Sequence, residues 1–518
     1  MTRSLNPTKA ALAALLAAAL MAMAPLIAAA ERSQPAAFPG ALGQGALSLG
    51  GRGGDVYHVT TLDDYAPHKG EKKIEGSLRH AIRSAEAPRT IVFDVAGPIA
   101  LREPIAVRKN RITIAGQTSP GGVTLWGYPM SVSDGAHDVV LRHLRLRCGD
   151  FNTVGALEAR DTGGGDLKGS DANSLAVYGN AERVILDHLS AAWGVDETLS
   201  VTVARDVTVQ HCLIADSLNH SFHKKGAHGY GSLVRGECTP QDQAAGRGGY
   251  TFYGCLWAHH RARSPAIGGQ QRLDDGQSER DRRAADVNVV NCVVYNWSGL
   301  PTSRSELGEV RLNLVGNDYL TGPSKRGEYV FRGTDSGATL VYQQGNRFDR
   351  QRDKDYTREM IDTPAEIADC LRLEEGERLV DAPMNFFSAV APHVLPVDIA
   401  HEQVSERVGA SLWRDTLDRE AIRTLRDRDG APLDSQEDLR DADGRLPGVD
   451  DLTTAARPEG FDTDRDGMAD AFETAHGLDP TDPEDRNGTE LGEADPSLAG
   501  FTNLEIYLDA MTRSPQPY

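Results

Sequence analysis

Val184-Ile185-Leu186-Asp187-His188-Leu189 is followed 23 residues later by Val207-Thr208-Val209-Gln210-His211-Cys212, and the two align position by position. The same six-residue pattern recurs as Val139-Val140-Leu141-Arg142-His143-Leu144 upstream. Downstream it recurs as Tyr250-Thr251-Phe252-Tyr253-Gly254-Cys255, Val287-Asn288-Val289-Val290-Asn291-Cys292 and Leu312-Asn313-Leu314-Val315-Gly316-Asn317. The hexads end 45, 23, 43, 37 and 25 residues apart. A leucine-rich or propeller repeat holds its period; here a core strand recurs while its connections vary. One such coil cannot bury its own apolar face, so coils must stack. Two-residue hairpin signals are missing between the strands, which disfavours a sandwich. The expected fold is therefore all-β: a right-handed parallel β-helix. Cys212, Cys255 and Cys292 share one template position and are expected to stack as buried free thiols.

Working outward, the N-terminus carries Arg3 and Lys9, then an apolar run from Ala10 to Ala29, then Glu31 after Ala28-Ala29-Ala30. That is the pattern of a cleaved secretory signal peptide. No other stretch approaches the roughly 20 apolar residues of a membrane span. The chain is expected to be secreted, extracellular or periplasmic, and monomeric. Its net charge is −20, with Lys+Arg 55 against Asp+Glu 75. This balance disfavours nucleic-acid binding, which needs a basic footprint. Hydrophobics at 40% exclude a disordered chain, and six cysteines in 518 residues exclude a disulfide scaffold.

The texture changes near residue 350. Thr363-Pro364-Ala365-Glu366 opens a capped helix, and 417–426 is a second amphipathic segment. Residues 430–460 read as linker. Beyond them, Asp462-Thr463-Asp464-Arg465-Asp466-Gly467-Met468-Ala469-Asp470-Ala471-Phe472-Glu473 fits an EF-hand-type calcium loop. Asp462, Asp464 and Asp466 supply oxygens, Gly467 the sharp turn, Met468 a carbonyl, and Asp470 and Glu473 the closing ligands. Asp479, Asp482, Asp485 and Asn487 are candidates for a second, weaker site. The expected division is residues 1–30 signal peptide, 31–345 coils, 346–459 helical and irregular extension, and 460–518 calcium-binding tail.

Three blocks carry a resemblance. The first is Phe38-Pro39-Gly40 with Gly50-Gly51-Arg52-Gly53-Gly54-Asp55 and Gly76-Ser77-Leu78-Arg79-His80. The second is Asp187-His188-Leu189-Ser190-Ala191-Ala192-Trp193-Gly194-Val195-Asp196-Glu197. The third is Lys225-Gly226-Ala227-His228-Gly229-Tyr230-Gly231 leading to Ala258-His259-His260-Arg261-Ala262-Arg263-Ser264-Pro265. Together they resemble secreted bacterial pectate lyases of polysaccharide lyase family 1, over roughly residues 37–345. The tail likewise resembles calcium-loop tails of secreted bacterial enzymes.

The resemblance implies calcium-dependent β-elimination of an acidic polysaccharide, polygalacturonate. Removing H5 piles charge onto a sugar that already carries a carboxylate, and a divalent cation offsets that charge. Position matching assigns the base to Arg263, although an arginine of ordinary pKa above about 12 keeps little free base. It assigns the cleft calcium to Asp171, Asp196 and Glu197. Substrate contacts fall to Lys225, with Lys224, His259, His260 and Arg272 as further candidates. The chain departs from the family where Ser200 replaces a usual Asp, where Asn219 replaces the substrate-binding lysine, and at Ala266-Ile267-Gly268, where a second arginine is missing. The local excess of base over 220–263 suits a polyanion despite the acidic whole. A polygalacturonase-type hydrolase would instead use paired carboxylates such as Asp171 and Asp196; a non-catalytic β-helix adhesin would need neither.

Overall fold

The computed structural model describes residues 35–513 apart from 87, 155–164, 306, 325–328, 335–336, 351–358, 385–390 and 494. The expected signal peptide lies outside the described residues. Each coil lays down three short strands. Ala181–Asp187 enters the first sheet, Ser190–Ala192 the second and Leu199–Thr202 the third, before Ala204–Gln210 begins the next coil. Among the described residues the first sheet has 11 strands, the second 11 and the third 9, almost all paired in parallel. The result is a parallel β-helix. The hexad alignment is also the observed register: Val184 lies opposite Val207 and Leu186 opposite Val209, and Val207 in turn faces Tyr250 and Val287 follows. Repetition is enforced because each inward side chain must pack on its counterpart one coil away, about 4.8 Å distant.

The corner between first and second sheets explains the fifth place of the hexad. His143, His188, His211, Gly254, Asn291 and Gly316 all have φ between 50° and 63°. Glycine, asparagine and histidine tolerate this left-handed region better than branched residues do. The next position forms an interior ladder. The Cys255 amide meets Cys292 Sγ at 3.4 Å, the Cys292 amide donates to Asn317 Oδ1 at 2.9 Å, and the Asn317 amide donates to Asn346 Oδ1 at 2.9 Å. Cys212, Cys255 and Cys292 are buried free thiols, as their shared template position implied, and Cys148, Cys238 and Cys370 are buried and free as well.

Coiling continues past residue 345. Thr339–Gln344 pairs with Glu377–Leu379, and Phe331–Arg332 pairs with Leu371–Arg372. The capped helix, Pro364–Cys370, closed by the reciprocal Thr363–Glu366 capping box, is thus an insertion within the last coil. The second helix, Thr416–Asp427, lies on the outer face of the second sheet. There Ala421, Ile422 and Leu425 pack on Leu213, Leu256, Val293 and Leu320. Each of these leucine, isoleucine and valine side chains contributes about 1.5–3 kcal/mol on burial. The tail helix Asn503–Arg513 covers the opposite flank, packing Leu504, Tyr507 and Leu508 near Ala115. Arg52 anchors it through Glu505 at 2.7 Å. No described helix is long and apolar enough to cross a membrane.

Candidate functional site

The loops between second and third sheets vary in length, and they build a cleft of about 660 Å³ beside the third sheet. Asp196 and Glu197 precede the strand Leu199–Thr202, His223 to Tyr230 precede Leu233–Arg235, and Arg263 precedes Ala266–Gly268. These strands are successive neighbours. Isolated parallel bridges from Glu197 to Tyr230 and from Tyr230 to Ala262 hold the loops in step. Residues 66 apart in sequence, Glu197 and Arg263, thereby meet as an ion pair.

Arg263 Nη1 donates to Glu197 Oε1, and its guanidinium lies 4.1 Å from the Tyr230 ring centre. Its backbone has φ 65°, the left-handed region that a non-glycine residue enters at a cost the surroundings must offset. His228 Nε2 is 2.7 Å from Asp196 Oδ1, and His223 Nε2 is 3.6 Å from the same oxygen. The two imidazoles stack with centres 3.6 Å apart, and His228 tilts against Tyr230 at 4.1 Å. Burial pushes both histidines down to about 4, helped by their positive neighbours, so both are neutral at pH 7. Burial, then the Asp196 charge, pushes Glu197 up to about 7 against the pull of Arg263. Burial also raises Asp196, opposed by His223 and Arg263.

Asp171, Asp196, Glu197, Lys225 and Arg263 all line this cleft. Asp171 stands outside the close Asp196–His223–His228 group, so the expected three carboxylates share a cleft without forming a tight cluster. Ser200 lines the same wall, and its buried hydroxyl bonds to nothing among the described residues. The oxygen donors present, three carboxylates and an unsatisfied hydroxyl, suit a hard divalent cation. Lys224 and Arg272 are exposed and do not line the cleft. His259 and His260 are corrected outright as substrate contacts, being 2% and 1% exposed. His260 is held between Ser217 Oγ and the Ile214 carbonyl, and His259 between Thr424 Oγ1 and Asn296 Nδ2. The two rings part: His260 turns into the coil wall, whereas His259 turns outward and is covered by the helix Thr416–Asp427. His223, His228 and Tyr230 are site residues that the sequence did not single out; His228 and Tyr230 lie inside the third resemblance block, and His223 lies just before it.

The tail forms a second acidic site. Asp462, Asp464 and Asp466 converge, and Asp466, Glu473 and Asp485 converge beside them, each group with ligand atoms within 4.8 Å of one another. Gly467 has φ 98°, the turn its place required. Asp464 Oδ2, Asp466 Oδ2, both Glu473 oxygens and Asp485 Oδ1 are buried and bond to nothing among the described residues. Unpaired buried carboxylates are costly, and a calcium ion is what their donor chemistry fits. Two expectations change here. Asp470 is turned away to Thr463, and Asp485 takes its place in the cluster. Asp479 and Asp482 stand outside both groups, and their carboxylates accept from the amides of Thr481 and Glu484. His58 joins tail to coil, with Nδ1 2.9 Å from Asp94 and Nε2 3.5 Å from Asp462.

Stacked coils with a cleft lined by carboxylates and by Arg235, Arg263 and Lys225 define a parallel β-helix protein with a groove of mixed charge. No family model matches the chain. A probable pectate lyase C of Emericella nidulans is 32% identical over 486 residues, covering 93% of this chain and 94% of the relative. A probable pectate lyase C of Neosartorya fischeri is 31% identical over 490 residues, covering 92% and 94%. Among solved structures, the cedar-pollen allergen jun a 1 aligns with TM-score 0.47 and 16% identity over 71% of this chain and 92% of that one. The chain belongs to the pectate lyase family. These relatives are fungal, where the motifs had suggested bacterial ones.

Proposed function

We propose that the chain is a secreted, monomeric lyase that cleaves polygalacturonate by β-elimination in the cleft between Asp196 and Arg263. The observation that carries this reading is the meeting of Arg263 with Glu197, beside Asp196, across two coils of one groove. In its neutral form Arg263 takes the proton from C5 of a galacturonate; the C5–H electron pair becomes the C4=C5 bond. The C4–O4 bond breaks, and the departing sugar oxygen takes up a proton from solvent. Lys225, exposed at the rim, meets a substrate carboxylate. Asp171, Asp196, Glu197 and Ser200 would hold calcium, which when bound offsets the charge of the sugar carboxylate. The neutral His223–His228 stack keeps Asp196 oriented without adding a competing charge. In the tail, Asp462, Asp464, Asp466, Glu473 and Asp485 would hold a calcium ion with a structural role.

The test is release of ultraviolet-absorbing unsaturated uronide from polygalacturonate. Arg263→Ala should lower the rate by about 10²–10⁴-fold, the usual contribution of a positioned base, and Arg263→Lys should retain more. Chelator should abolish activity. Cleavage without an unsaturated product would make the protein a hydrolase, and binding without cleavage an adhesin.

A further inference from the structure

Arg263 and the cleft's cation donors share one carboxylate. Glu197 is 4% exposed, with its amide fixed by Asn173 Oδ1 at 2.9 Å, so its side chain has little freedom to serve distant partners. In the structure it holds the Arg263 guanidinium, which also lies on the face of Tyr230. Tyr230 is backed in turn by His228 and His223. Two claims therefore fall on one carboxylate: that of the guanidinium already in place and that of any cation bound by the cleft's oxygens.

We propose that Glu197 is a partner-exchange switch: a divalent cation entering the cleft takes Glu197 from Arg263, so that loading the cation and releasing the base are one event. The exchange of partners stands on the geometry alone; its consequence for elimination rests on the lyase reading above. Linkage makes the idea testable without turnover. If the cation displaces Arg263 from Glu197, removing Arg263 must tighten the cation. A carboxylate has two oxygens, so the competing arrangement is one in which Glu197 serves both partners at once. Removal of Arg263 would then act only through the loss of one positive charge, as removal of Lys225 would.

The experiment is calorimetric titration of the full chain with calcium at pH 8, comparing wild type, Arg263→Ala, Arg263→Lys and Lys225→Ala. The tail site supplies a second binding class that should be identical in all four and certifies that each is folded. Arg263→Ala should tighten the cleft class on the order of tenfold, within the usual range of coupling between sites. Arg263→Lys should fall between it and wild type, and Lys225→Ala should tighten the class several-fold less. Equal tightening by Lys225→Ala, or none by Arg263→Ala, overturns the switch. So does a wild-type titration showing the tail class alone; the uronide-release assay would then decide separately whether elimination survives.

Discussion

Asp470 and Thr463 are joined twice: the Thr463 amide donates to Asp470 Oδ1 at 2.7 Å and its hydroxyl to Oδ2 at 2.6 Å. Both oxygens of the carboxylate expected at the ninth place of the calcium loop are thus engaged outside the acidic cluster. Asp485, from a turn twelve residues beyond Glu473, points an unbonded oxygen into it instead. Asp485→Asn should therefore weaken tail calcium by at least about 10–100-fold, the range seen even for residues that only support a ligand. Asp470→Asn should lower thermal stability while leaving affinity within a few-fold. Titration of both variants with calcium checks the order, and the reverse order would return Asp470 to the site.

The tail acids also fix a pH dependence. Burial first, then mutual repulsion, pushes Glu473 up to about 8 and Asp466 to about 7. Burial pushes Asp462 to about 6 against the pull of His58. Without metal, the folded tail holds protons that the unfolded chain has released above about pH 4. Stability in chelator should then fall as pH rises from about 4 towards 8 and level off beyond. Calcium binds the deprotonated form and should reverse that slope. Thermal scans at pH 5 and pH 8, with chelator and with calcium, read this directly; parallel slopes in the two media would exclude a cation there.

Much of this architecture is legible in the residues because stacking makes each coil repeat the last. Val139, Val184 and Val207 are alike since each packs above its predecessor, and that repetition survives loops of very different length. The helix Pro364–Cys370 was legible as a helix but not as an insertion, since its cap signal is local while the pairing of Leu371 with Phe331 spans 40 residues. Asp196, Glu197 and Arg263 could be found from family blocks. Their meeting depends on the bridges through Tyr230, which no periodicity announces. Asp485 was assigned to a separate site for the same reason: spacing shows a contiguous loop, whereas the chain folds back to complete it.

His260 offers a separation of structure from chemistry. Both ring nitrogens are bonded within the coil wall, at 2.8 Å to Ser217 and 2.9 Å to Ile214, and burial pushes its pKa down to about 3. His260→Ala leaves buried polar groups unpaired, at about 1–3 kcal/mol. The melting temperature should fall, while the KM for polygalacturonate of the folded fraction stays within twofold. The native ring stays neutral where the unfolded one is charged, so its contribution is lost as pH falls below about 6.5 and is complete above. A raised KM without loss of stability would restore it as a substrate contact.

Ser200 is one of the positions where the chain departs from the pattern that the resemblance implies, and the acid expected there can be introduced. Its hydroxyl is buried and unbonded among the described residues, it lines the cleft, and it lies in register opposite Ala176, which leaves no rival donor on that neighbour. Ser200→Asp would set a third acid beside Asp196 and Glu197. With no cation present the added charge is repelled by both, so the variant should melt lower than wild type at pH 8 in chelator. With calcium the same charge becomes a ligand, and the cleft class should tighten on the order of tenfold, roughly 1.4 kcal/mol. The two effects have opposite signs and one cause. Destabilisation without tighter binding would place the cation away from Ser200, nearer the exposed Asp171.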